Sequence, residues 1–260
     1  MTTTVRPNPG GRPSTVTQAS IIAAGRELGM ARLSVAAVAA RLGVSAAALY
    51  RHVQNRWHLE SLVGESLLAD LTLDGGPGDG RDVESRLLWF ALTLHDFATD
   101  RPGLAGYALT LFPRGEAGLR LMETEASALR RCGLTEEAAL VVSNAVATVT
   151  FSLVAAEERR RDAAAEDADG GFAAELLAAT RRFESEPRLG AAAAMPSVSG
   201  GDYVRMLLAA CVRGIVAALG PEPGRATART VVAGLNDRLV RAGDPQVVLH
   251  PRTTPTPLEG

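Results

Sequence analysis

The side chains of this chain that could do chemistry are few and widely scattered. His52, His58, His95 and His250 lie far apart along 260 residues, and Cys132 and Cys211 cannot by themselves make a disulfide framework or a four-ligand metal site. There is no nucleophile elbow, no metal motif and no dinucleotide fingerprint, so an enzyme is not the expected reading. Asp74-Gly-Gly-Pro-Gly-Asp-Gly80 has the glycines of a phosphate loop, but no strand precedes it and no Lys-Ser/Thr follows. What is left is a chemistry of cations. Asn55 reads as the N-cap of a helix from Arg56 to about Leu71. Arg56 therefore places a guanidinium at a helix start, beside free amides that favour an anion.

The elements that must position Arg56 come just before it. Leu33 to His52 reads as two short helices joined by a tight turn. Ser34 caps the first, and Val35, Val38, Ala39 and Leu42 recur at helical spacing to give it an apolar face. Gly43 stands where that helix must stop, since glycine tolerates a left-handed residue. Val44 fills the angle, Ser45 caps the second helix, and Leu49 with His52 or Val53 faces back toward the first. A preceding helix from about Thr17 to Leu28, with Ile21, Ile22, Ala24 and Leu28 on its apolar side, completes a three-helix head. This is the layout of a helix-turn-helix, whose second helix enters the DNA major groove.

Charge fits that division. Residues 1–60 carry seven arginines against Glu27 and Glu60, a net +5, while the rest of the chain is net −7. A basic head on an acidic body suits a head that meets phosphate. All 27 basic residues are arginine, as GC-rich coding would give. Strand signals are scarce and aromatics make up only 4 %, so the fold class expected is all-α. The N-terminus has no apolar run and reads as no signal peptide, and two cysteines suit a reducing cytoplasm. Ala138–Ala156 is uncharged and long enough for a bilayer, but Ser143, Asn144, Thr148, Thr150 and Ser152 interrupt it. A buried helix of a bundle, not a membrane span, is expected.

Val38-Ala39-x-x-Leu42-Gly43-Val44-Ser45, followed by Leu49-Tyr-Arg-His-Val-Gln-Asn-Arg-Trp-His-Leu59, resembles the DNA-binding domain of the tetracycline-repressor (TetR) family of bacterial regulators. The likeness continues, more loosely, through Leu121-Met-Glu-x-x-x-x-x-Leu-Arg-Arg-Cys-Gly-Leu134, Glu136-Glu-Ala-Ala and Met206-Leu-Leu-Ala-Ala-Cys-Val-Arg-Gly-Ile215, covering roughly residues 15–219. The resemblance implies a homodimer that sets two recognition helices in successive major grooves, on a pseudo-palindromic double-stranded DNA operator. It places Tyr50, Arg51, His52 and Arg56 toward DNA: Tyr50 and His52 on the backbone, Arg56 as phosphate clamp, Arg51 either reading a guanine or adding charge. Ser34, Val35, Ser45, Ala46 and Ala47 complete the candidate DNA-binding set. The run Ala46–Ala48 offers only methyl contacts where relatives carry polar base readers. Specificity then leans on DNA shape, on Arg51, and on Val35 or Ala36.

The chain divides into a disordered arm (1–14, with Arg6 and Arg12), the head (15–60), a ligand-binding and dimerisation body (61–243) and a disordered tail (244–260). In the body, helices are expected over Val83–Thr99, Leu104–Leu111, Gly118–Arg131, Thr135–Arg161, Phe172–Glu184, Asp202–Leu219 and Arg225–Arg241. Residues 162–171 read as an acidic loop and 187–201 as a mobile segment. The resemblance makes the body a sensor. Its candidate effector-binding residues are Trp89, Phe90, His95, Tyr107, Phe112, Asn144, Thr148 and Phe151, the last three sharing one helix face; each of the eight has plain core packing as its alternative. His95 as a metal ligand is not favoured, and no cofactor is expected. The polar set with which tetracycline repressors hold drug and magnesium is missing around Thr72 and Leu109–Leu111, so that ligand is not carried over. The expected function is a cytoplasmic repressor released by a small apolar effector. The alternatives are an activator of the same fold, or a helical interaction protein whose head no longer reads DNA. Dimerisation is assigned to the helices from Thr135 and from Asp202, whose apolar surface exceeds what a monomer can cover.

Overall fold

The computed structural model describes residues 16–77, 82–113, 115–188, 200–220, 222–227 and 229–234. The expected arm, the tail, residues 78–80 of the glycine loop and most of the segment 187–201 lie outside these residues. All regular structure among the described residues is helical.

The head is built by caps. Helix α1 (Gln18–Leu28) starts at Thr17, whose hydroxyl accepts from Ser20 N–H while Ser20 returns the bond. A single 3₁₀ turn (Met30–Arg32) leads to α2 (Val35–Leu42), where Ser34 Oγ accepts from Ala37 N–H at 3.1 Å. Gly43 ends α2 in the left-handed region, φ 67°. Ser45 Oγ then takes Ala48 N–H at 3.2 Å to start α3 (Ala46–Leu49). Ile21, Val38, Leu49 and Val53 seal the angle between these helices, and Leu59 and Val63 from α4 (Arg56–Leu68) close it from below.

The body comprises α5 (Val83–Thr99), α6 (Leu104–Leu111), α7 (Glu116–Arg131), α8 (Glu136–Ala165), α9 (Gly171–Ser185) and α10 (Gly200–Ala218). The 30-residue α8 is the axis, with α5, α6, α7 and α10 laid against it. By length and composition it could cross a bilayer. Here it serves as a core helix, with Ala138, Ala139, Val142, Val146 and Val154 buried.

Several boundaries differ from expectation. Helix α3 stops at Leu49; Tyr50 to His52 continue as turns, with His52 N–H on Leu49 O at 2.8 Å, because the chain must reach the Asn55 cap three residues later. Helix α4 ends at Leu68 rather than near Leu71. Helix α8 runs on to Ala165 and absorbs the first half of the expected acidic loop: Ala163–Ala165 favour helix, and Glu157 pairs with Arg161 one turn on. Of the expected last helix only 229–234 is helical among the described residues. Just before it, the Thr135 hydroxyl donates to the Ala226 carbonyl, and Ala226 and Val231 are buried, so this segment covers the α7–α8 corner.

Candidate functional site

The outer edge of the head gathers most of the predicted DNA set. Ser34, Ser45, Ala46, Ala47, Tyr50, Arg51, His52 and Arg56 are all exposed, Tyr50 by 55 % of its surface. Val35 is the exception. It is 9 % exposed and belongs to the head core, so the first residue of α2 faces inward and Ala36 takes the outer position. Arg56 Nε donates to Glu60 Oε1 at 2.5 Å, which fixes the side chain while it stays 69 % exposed with its two terminal nitrogens available. Its guanidinium also lies 5.4 Å from the ring centre of Trp57. Trp57, half exposed beside Arg56, is part of this face and was not singled out from sequence. The signal available was a tryptophan in the first turn of a helix with no apolar partner on its side.

Helix α4 carries Arg56 at one end and is fastened to the body at the other. Glu65 reaches across to the start of α7, where its carboxylate accepts Gly115 N–H at 2.8 Å and Gly118 N–H at 2.9 Å. Arg120 on α7 returns the contact: its Nη2 donates to the carbonyls of Leu68, Ala69 and Leu71 at 3.4, 3.3 and 3.1 Å, where α4 ends. Each helix thus supplies the charge that the other helix's terminus favours. The approach is close, since a Cβ on Gly115 would lie 2.5 Å from Glu65 Cδ. Tyr107 on α6 stacks over Gly64, where a Cβ would come within 2.3 Å of its ring. Burial, with the nearby Glu65 carboxylate, pushes the Tyr107 hydroxyl up to about 12, against a hydrogen bond with Ser61 that lowers it. A second bridge joins Ala31 N–H in the head to Pro102 O at 3.0 Å, and next to it Gly103 N–H to Glu158 Oε1 on α8 at 3.2 Å.

Between α4, α5, α6, α7 and α8 lies a pocket with about 830 Å³ of empty space, part of it continuous with solvent. The cavity itself is about 150 Å³, below the roughly 300–1,000 Å³ usual for sites that enclose a drug-sized ligand. Five predicted residues line it: Phe90, Phe112, Asn144, Thr148 and Phe151. Phe112 joins α6 to α7 at φ 47°, a left-handed conformation that no other non-glycine residue adopts among the described residues.

Three predicted residues are elsewhere. Trp89 turns away onto Arg86, 4.5 Å from its ring centre. Tyr107 faces α4 as described. His95 is buried with Nδ1 2.9 Å from Asp96 Oδ1, and its Nε2 has no partner among the described residues. No group of three metal-ligating side chains occurs among the described residues. In exchange the pocket gains Leu68, Leu94, Gly118, Leu121, Met122 and Glu125, among others. Glu125 is fully buried and bound to Arg86: Nε donates at 3.0 Å and Nη2 at 2.5 Å to Oε2, and Arg86 also reaches the Leu73 carbonyl at 3.3 Å. Burial pushes the Glu125 carboxyl up, while Arg86 pulls it down.

Residues 21–56 match the family model described as bacterial regulatory proteins, tetR family. No curated protein matches the sequence significantly. Among solved structures, ActR from Streptomyces coelicolor in complex with actinorhodin is 22 % identical with a TM-score of 0.64, over 80 % of this chain and 99 % of that one. A TetR variant from Acinetobacter baumannii AYE in complex with minocycline is 20 % identical with a TM-score of 0.54, over 78 % and 97 %. At such identities these structures share the fold. Residues 21–56 thus match the tetR family of bacterial regulatory proteins, and the chain shares the fold of the TetR family protein ActR.

Proposed function

We propose that the chain is a homodimeric repressor of the cytoplasm that binds a pseudo-palindromic operator and leaves it when a small, largely apolar effector fills the α4–α8 pocket. The observation that carries this reading is the double fastening of α4. The helix that presents Arg56 is held through Glu65 and Arg120 to α7, whose Gly118, Leu121 and Met122 are pocket wall. An effector that needs α7 displaced displaces α4 with it, and only such a difference in affinity between two states can release DNA. The small molecules bound by ActR and the TetR variant support a ligand in this pocket. Exposed Tyr203 and Met206 on α10 and Leu140 on α8 support a second copy packed against those helices.

The test is selection of bound fragments from genomic DNA, followed by footprinting. The expected footprint has two half-sites about 34–36 Å apart, protected by two copies of the chain. A single unrepeated half-site would contradict the dimer, and absence of any enriched fragment would favour the interaction-protein reading that the Ala46–Ala48 run supports.

A further inference from the structure

We infer that His58 is a positioning residue of the DNA face that works as a proton-operated latch. Its neutral ring ties down the turn that carries Tyr50, Arg51 and His52 and leads to Arg56, and acid releases that turn. The consequence for DNA rests on the proposed role of the head; the latch itself is local geometry. Asn55 caps α4, and its Oδ1 accepts His58 N–H at 2.9 Å. The imidazole returns the bond from the third helical position, where Gln54 N–H donates to His58 Nδ1 at 3.1 Å. Reciprocal caps of this kind ordinarily use Glu or Gln there. The turn has little else to hold it. His52 and Val53 N–H share Leu49 O at 2.8 and 3.0 Å, and Arg51 N–H reaches Ala48 O only at 3.4 Å. Val53 anchors the middle of the turn in the head core, so Gln54, between that anchor and α4, depends on the cap.

A backbone N–H only donates, so Nδ1 presents a lone pair and the ring hydrogen sits on Nε2. A second proton turns Nδ1 into a donor facing a donor. It also sets a cation in the first turn of a helix, where the dipole opposes it. Histidine is the side chain that takes such a proton between about pH 5 and 8. The charged groups around the ring are engaged elsewhere. On α4 itself Arg56 and Glu60 are tied to one another. Helix α1 brings Arg26 and Glu27, tied to Asp70 and Arg41, and the 3₁₀ turn brings Arg32, which donates to Leu28 O. Helix α7 brings Glu116 and Arg120, the latter on the carbonyls where α4 ends, and α6 has Tyr107 as its one titratable group. Arg51 and His52, on the turn itself, are exposed. A turn ordered before contact costs less to fix on DNA. Loss of the latch therefore weakens operator binding in acid, the opposite of what added positive charge alone does on a polyanion.

The test compares the full chain with His58→Gln and His58→Leu by anisotropy on the duplex enriched from genomic DNA, between about pH 8 and 5.5. Gln keeps the acceptor and does not titrate, whereas Leu removes it. His52 titrates in all three chains, so ratios between them cancel it. At the alkaline end the parent should match His58→Gln, and His58→Leu should bind about fivefold more weakly, the size of a lost hydrogen bond. At the acid end the parent should fall about fivefold against His58→Gln and meet His58→Leu, with melting transitions confirming intact folds. A ratio of parent to His58→Gln that is flat with pH, or that rises in acid, overturns the inference, as does His58→Leu matching His58→Gln at the alkaline end. The exchange protection of the Gln54 amide, followed by NMR without DNA, should be lost in acid in the parent and kept in His58→Gln. If no chain binds any duplex, the DNA role of the head fails. Acid-sensitive protection of Gln54 then still supports the latch, and acid-indifferent protection overturns it.

Discussion

Glu125 and Arg86 are two opposite charges with almost no exposure, and their value shows when one is removed. Glu125→Leu leaves a buried guanidinium unpaired, and urea unfolding should show a loss of about 3–5 kcal/mol; the double variant Arg86→Met/Glu125→Leu should recover most of it. Tyr50 is the converse case, a large exposed side chain at the end of α3. Tyr50→Ala should abolish operator binding with an unchanged melting temperature, and unchanged affinity would remove it from the DNA face. Tyr107 sets an alkaline limit. Its hydroxyl ionises at about 12 in the folded chain and at about 10 when unfolded, so its contribution is whole below pH 10 and is lost as pH rises from 10 to 12. Tyr107→Phe should flatten that limb of a stability–pH curve. Periodicity marks which residues share a helix face but not which neighbour covers the face. For that reason Val35, Trp89, His95 and Tyr107 lie away from the faces expected of them, while residues 144, 148 and 151 line the pocket. Glu65 and Glu125 were illegible because their partners lie 50 and 39 residues further along or back, a separation no local pattern records.

The element that unites the two halves of the molecule is α4, which exchanges end charges with α7. Glu65→Gln keeps one acceptor but turns an amide toward the second N–H, leaving Gly115 or Gly118 unpaired. The free protein should still bind operator within about threefold of the parent, whereas the factor by which effector weakens that binding should fall by about tenfold, within the usual range of coupling energies. Paired anisotropy titrations with and without effector measure both; an unchanged factor would mean that the signal bypasses α7. The elements themselves were largely legible. Helices α5 and α6 fall over 83–99 and 104–111 as expected, since Arg101-Pro102-Gly103 and Phe112-Pro113 interrupt the chain unambiguously. The ends of α4 and α8 were less so. Arg120 from a distant helix meets the carbonyls at one, and an alanine run that favours helix carries the other past the expected loop.

At the scale of the whole molecule, a net +5 in residues 1–60 stands above an acidic body, so the chain meets a polyanion with its head. In the dimer proposed above, the exposed surfaces of α8 and α10 would take the second copy, and two heads at fixed spacing would turn weak single contacts into a specific site. On the proposed DNA face, the three alanines at the start of α3 would leave base recognition to Arg51, Ala36 and DNA shape, and phosphate contacts would supply much of the affinity. The most direct test is fluorescence anisotropy of the full chain on a duplex from around its own gene and on a scrambled duplex, repeated over a series of salt concentrations. Tight binding to the first duplex alone is predicted, with log affinity falling steeply against log salt at about 0.9 per phosphate engaged. Equal binding to both duplexes, or affinity indifferent to salt, would contradict the assignment of this head to sequence-specific DNA recognition.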